Sequence, residues 1–180
     1  PKVIPIDVGR QLFVDDFLIE STTLRRGLHQ AEFYAGNPLQ QASPYSGGMW
    51  WDPKDNMLKM WLGGGMMTSK DGTRWETPAS LKGKVLIPGT HSSAIWLDHD
   101  AKDPAKRFVA IYSITFEPPG ACRYWVRFSS DGINWSEKFN TKADCGDRST
   151  AFYNPFRKVW VYSIRQGWGK PRARRYWEMK

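Results

Sequence analysis

The chain has 180 residues, 41% hydrophobic and 24% charged, with 16 Gly and 12 Pro dispersed rather than tracted. That length suits one domain, and the composition excludes a disordered or collagen-like chain. The formal charge of +8 gathers from Arg165 onward, where Arg165, Lys170, Arg172, Arg174, Arg175 and Lys180 meet one acid, Glu178. A basic tail of this kind reads as solvated surface, so no nucleic-acid partner is expected.

No apolar run approaches the roughly 18 residues of a membrane span, and no membrane partner is expected. The N-terminus lacks a basic region followed by an apolar stretch, so no signal peptide is expected within this sequence. Cys122 and Cys145 form one disulfide or none, which excludes a disulfide scaffold and a four-cysteine zinc site. His29, His91 and His99 show no ligand spacing, and no phosphate loop or nucleophile elbow is present. Neither a metal nor a cofactor is expected.

In chain order, the first predicted element is a strand over Gln11-Leu-Phe-Val-Asp-Asp-Phe-Leu-Ile-Glu20. Asp15 and Asp16 interrupt it. Neighbouring side chains on a strand point to opposite faces, so one carboxylate is placed inward and needs a partner or a purpose. The alternative is a turn between two short strands.

Three repeats follow. Ser46-Gly-Gly-Met-Trp-Trp-Asp52, Ser92-Ser-Ala-Ile-Trp-Leu-Asp98 and Arg148-Ser-Thr-Ala-Phe-Tyr-Asn154 each run from small polar residues through apolar ones to Asp or Asn. Each meets a Pro-containing turn. The second runs are Met57-Leu-Lys-Met-Trp-Leu62, Arg107-Phe-Val-Ala-Ile-Tyr112 and Lys158-Val-Trp-Val-Tyr162. These patterns predict β-hairpins. Ser69-Lys-Asp-Gly-Thr-Arg-Trp75 matches Ser129-Ser-Asp-Gly-Ile-Asn-Trp135, where Asp-Gly supplies the positive-φ turn of a second hairpin.

Two hairpins per repeat, spaced by about 46 and 56 residues, predict an all-β chain of four-stranded β-propeller blades. The expected division is an N-terminal closing segment at 1–40, blades at 41–85 and 86–144, and an incomplete blade at 145–180. About two and a half blades are expected, either as part of a longer protein or self-associating through open blade edges.

In a propeller, residues just before each inner strand line the central funnel. Counting back from Asp52, Asp98 and Asn154 puts Tyr45, His91 and Asp147 in one ring, with Arg148 beside them. Trp50 offers a face for sugar stacking. Asp71 and Asp131 read as turn formers, and Asp52 and Asp98 as structural. Asp147 with Asp15 or Asp16 would supply the two carboxylates that glycoside hydrolysis needs, one to protonate the leaving oxygen and one to attack or activate water.

The segments Leu12-Phe-Val-Asp-Asp-Phe-Leu-Ile19, Gly36-Asn-Pro38, Gly48-Met-Trp-Trp-Asp-Pro53, Ser69-Lys-Asp-Gly72 and Cys145-Gly-Asp-Arg-Ser-Thr150 carry a family likeness. Together they resemble bacterial glycosyl-hydrolase-like proteins of the arabinanase/levansucrase/invertase superfamily. The resemblance implies a five-bladed β-propeller, an oligo- or polysaccharide substrate, and secretion or a periplasmic location. It implies a nucleophile or base at Asp15 or Asp16 and a third-blade carboxylate at Asp147. The superfamily's Arg-Asp-Pro and Glu-Cys motifs are absent, which leaves the general acid unassigned, with Glu117 and Glu178 as weak candidates. A glycosidase is the leading expectation, with a non-catalytic glycan-binding propeller as the alternative.

Overall fold

The computed structural model describes residues 15–38, 48–62, 64–87, 92–115, 122–166 and 173–180. It divides into two units, residues 1–35 and 36–180. The described part of the first unit contains no strand. Asp15 and Asp16 lie in a bend, where the Phe17 N–H donates to Asp15 Oδ1 at 3.0 Å and the Ile19 N–H to Asp16 O at 3.0 Å. This corrects the expected strand over its described portion, residues 15–20, in favour of the turn.

The second unit is all-β. Ten strands, β1 (Met49–Asp52), β2 (Met57–Leu62), β3 (Gly65–Ser69), β4 (Ser92–Leu97), β5 (Phe108–Thr115), β6 (Cys122–Ser129), β7 (Phe139–Asp144), β8 (Thr150–Asn154), β9 (Val159–Arg165) and β10 (Arg174–Met179), form three antiparallel sheets. The strand orders are β1-β2-β3, β4-β5-β6-β7 and β10-β9-β8. Among the described residues, only the middle sheet has the four strands expected of every complete repeat. In the first, the position of a fourth strand is reduced to one bridge, Thr68 with Glu76. Pro78 soon follows and cannot donate to a ladder, and a 3-10 turn occupies Ala79–Leu81.

The repeats share a register. Trp51 pairs with Leu58, Leu97 with Phe108 and Tyr153 with Trp160, so Asp52, Asp98 and Asn154 hold equivalent places at the strand ends. Asn56 and Lys158 close the first and third hairpins with φ of 56° and 53°. The outer neighbours also agree: Leu58 pairs with Ser69, Phe108 with Ser129 and Trp160 with Met179.

β5 explains how the sheets stack. Its run Phe-Val-Ala-Ile-Tyr is apolar throughout because both faces are covered. Phe108, Ala110 and Tyr112 join Trp61, Met66, Leu81, Ile87, Ile95 and Leu97 in the core between the first and middle sheets. Val109 and Ile111 face the other way, with Tyr124, Ala151 and Ile164, toward the third sheet. Burying each of the larger aliphatic and aromatic side chains among them contributes about 1.5–3 kcal/mol. The first strands lie side by side, β1 against β4 and β4 against β8.

Candidate functional site at the head of the third sheet

The segment from Cys145 to Ser149 turns the chain from β7 into β8. Gly146 is required there: a Cβ would come within 2.9 Å of Arg165 O and 3.1 Å of Arg165 Cβ. Ser149, buried, ties the turn down. Its hydroxyl donates to Gly146 O at 2.8 Å and accepts from the Arg165 N–H at 3.0 Å. Arg148, at φ 55°, projects to the surface between them.

This turn fixes Asp147, whose carboxylate forms an ion pair with the Arg165 guanidinium, both side chains half-buried. Arg174, opposite Arg165 on β10, donates through Nη1 to Ser163 O at 3.1 Å and through Nη2 to Arg148 O at 2.9 Å. Asp147, Arg148, Arg165, Ala173 and Arg174 line an open cavity of about 420 Å³. Among the described lining residues three guanidiniums meet one carboxylate, so the cavity favours an anionic group. Planar five-donor forks suit carboxylate, sulfate or phosphate oxygens.

The other sequence-predicted positions are spread out. Tyr45, His91 and Glu117 lie outside the described residues. Asp16 is exposed and pairs with Arg26 at 2.5 Å, and Asp15 caps its own bend. Glu178 lies toward the opposite end of β10 from Arg174, in a bidentate ion pair with Arg157. Trp50 sits between sheets: its indole N–H donates to Ile95 O at 2.6 Å, and its ring meets Trp96 edge-on at 4.6 Å. Trp96 in turn contacts Tyr153 and Trp160, so much of the aromatic surplus joins the sheets. Cys145 is half-buried, and the Cys122 side chain lies outside the described ones. Among the described residues, no three His, Cys, Asp or Glu side chains converge to hold a metal ion.

Arg165 and Arg174 are the functional candidates that sequence reasoning missed, because both were absorbed into a basic tail. The available signal was positional: each repeat's second run ends beside the first position of its inner strand. Comparison with protein-family models, curated proteins and solved structures finds no match to this chain.

Proposed function

We propose that this chain is a carbohydrate-active protein of β-propeller type that binds an acidic glycan at the head of its third sheet. The observation that carries this reading is the cavity in which the Asp147–Arg165 pair opens beside Arg148 and Arg174. Three sheets with adjacent inner strands and a shared register support the propeller. The resemblance to glycosyl-hydrolase-like proteins supplies the substrate class, and with it an exported location. In this reading the guanidiniums take the anionic substituent, and Asp147 orients Arg165 and accepts a sugar hydroxyl.

Hydrolysis is the second reading, favoured by the placement of Asp147 in a half-buried turn at the cavity wall. It requires a second carboxylate, which the described lining of this cavity does not supply.

Titration calorimetry with neutral, uronate-bearing and sulfate-bearing oligosaccharides tests the binding reading. Acidic members should bind, with affinity falling as salt rises, and Arg148→Ala should weaken them about tenfold. Equal affinity for neutral and acidic members, or none for either, overturns it. Reducing-end release over long incubation separates the two readings. If release occurs and Asp147→Asn abolishes it without moving the melting curve, the carboxylate belongs to the chemistry.

A further inference from the structure

The two Asp-Gly turns are latched alike. Each starts at the buried serine that ends its strand, Ser69 on β3 and Ser129 on β6. The serine hydroxyl accepts from the glycine N–H, at 2.9 Å for Gly72 and 2.8 Å for Gly132. It donates to the aspartate Oδ1, at 3.2 Å for Asp71 and 2.9 Å for Asp131. The same Oδ1 accepts from the next two N–H groups, those of Thr73 and Arg74 or of Ile133 and Asn134.

Asp-Gly is also the dipeptide most open to backbone rearrangement, because a glycine without a Cβ lets its nitrogen reach the preceding carboxyl. In that reaction the glycine nitrogen attacks Asp Cγ and an N–Cγ bond forms. The N–H proton and the carboxyl hydroxyl leave together as water, closing a five-membered imide. A solvent water then adds at the aspartate main-chain carbon and breaks its bond to the glycine nitrogen. The chain now runs through Cγ, the main-chain carbon is a free carboxylate, and mass and oxidation state are unchanged. The serine hydroxyl stands between the two reacting groups, holding the nucleophile's N–H and one carboxylate oxygen. The Arg74 and Thr73 N–H groups also hold the Asp71 carboxyl below its ordinary value, in the ionised form that lacks a leaving hydroxyl. Ring closure therefore waits for the turn to open.

Outside the latch the two turns differ. Asp71 is exposed, and Gly72 O accepts from the Trp75 indole of its own turn at 2.9 Å. Asp131 is half-buried, in a turn held from the first and middle sheets. Gly132 O accepts from the Trp61 indole at 3.0 Å, Asp131 O from Lys59 Nζ at 3.2 Å and Ser130 O from Arg107 Nη1 at 3.1 Å. We propose that Asp71 is a site of spontaneous isoaspartate formation whose rate is set by the Ser69 hydroxyl, and that Asp131, with the same chemistry, is shielded by its seat between the sheets.

The test holds the full chain at neutral pH and body temperature for several weeks. Peptide mapping, which separates isoaspartyl from aspartyl peptides of equal mass, follows both sites in one sample. Each rate is divided by its value in urea, which removes the effect of neighbouring sequence. On that scale Asp71 should isomerise at least about tenfold faster than Asp131. Ser69→Ala should speed Asp71 about fivefold and leave Asp131 unchanged. Ser69→Thr, which keeps the hydroxyl, should stay near the parent rate. An Asp71 rate no faster than that of Asp131, or one that Ser69→Ala does not move, overturns the proposal. If Ser69→Ala unfolds the chain, both sites rise together, and the parent decides: an Asp71 rate equal in folded and urea samples overturns the latch, and a slower folded rate supports it.

Discussion

The two faces of the middle sheet are closed by different physics. Toward the first sheet, β5 meets a wall of charge. Asp52, fully buried, accepts from Lys59 at 2.8 Å and from Arg107 at 2.6 Å, and Lys59 also reaches Asp55 at 2.5 Å. Arg107 donates to Ser130 O at 3.1 Å, and both cations lie over the Phe108 ring. Strand end, strand middle and Asp-Gly turn are thereby locked to one carboxylate. Toward the third sheet the counterparts of Asp52 and Lys59 are Asp98 and Val109, and both line a cavity of about 520 Å³. One repeat pattern thus yields an apolar core edged by a buried charge cluster on one side and an apolar core edged by a cavity on the other.

The largest effect should come from breaking the charged side. Asp52→Ala leaves Lys59 buried beside a missing partner and should cost about 3–5 kcal/mol, read from urea unfolding. Combining it with Lys59→Met should recover part of that loss, because the more deeply buried of the two cations is then gone and only Arg107, partly exposed, lacks its carboxylate. A cost below about 1 kcal/mol for Asp52→Ala would show that the clamp is not what holds this face.

Next in size is the turn itself. Gly72 and Gly132 have nearly the same φ, 78° and 79°, so alanine strains both backbones by about 1–2 kcal/mol. Their surroundings differ. At Gly72 the added Cβ meets only the flexible Leu58 Cδ1 at 3.3 Å, whereas at Gly132 it meets the Trp61 ring at 2.6 Å. Gly132→Ala should therefore cost about 1–2 kcal/mol more than Gly72→Ala, which thermal melts of the two variants compare directly. Equal costs would mean that Trp61 yields freely.

The clamp also predicts an acid response. Burial alone would raise the Asp52 pKa, but hydrogen bonds from Lys59, Arg107 and the Lys54 N–H outweigh it and hold the carboxyl below its ordinary value near 3.8. The unfolded chain then takes up the proton first as pH falls. The stabilisation is complete above the ordinary value and is lost as pH falls through it toward the lowered one. Melting temperature should fall below about pH 4, and Asp52→Asn should flatten that fall. Asp71 and Asp131, also lowered through hydrogen bonds to their turns, keep some of the slope.

Local chemistry is what made the fold legible. Asp52, Asp98 and Asn154 mark the strand ends because Asx and Pro residues favour turns within four residues, and Asp-Gly marks positive φ for the same short-range reason. The pairs that matter at the two interfaces are not local. Lys59 looks like an alternating polar residue on β2, and nothing within its own hairpin announces Arg107. Asp147 lies in the turn before β8 and Arg165 at the end of β9, so in the sequence Cys145-Gly-Asp-Arg-Ser-Thr150 carries a family likeness and no sign of the pair. Trp50 fits sugar stacking by residue type alone, and its indole is aimed at Ile95 by inter-sheet geometry that no spacing encodes. At Asp15-Asp16 the apolar flanks suggested a strand, but the carboxylate's reach to the Phe17 N–H favours the bend.

The smallest effect should lie on the apolar side, and its smallness is informative. Phe139 lines the open cavity, more than half exposed, with the Phe128 ring 6.1 Å away as its aromatic contact. In a filled interface, truncating a phenylalanine removes about 3–5 kcal/mol. Here most of the ring already faces solvent, so Phe139→Ala has little burial to lose and leaves no enclosed void. Its cost should stay within about 0.5 kcal/mol, a Tm change of about 1–2 °C. If Phe139→Ala is already severe, the ring is covered in solution, and the contrast between the two sides of the middle sheet is not one of exposure.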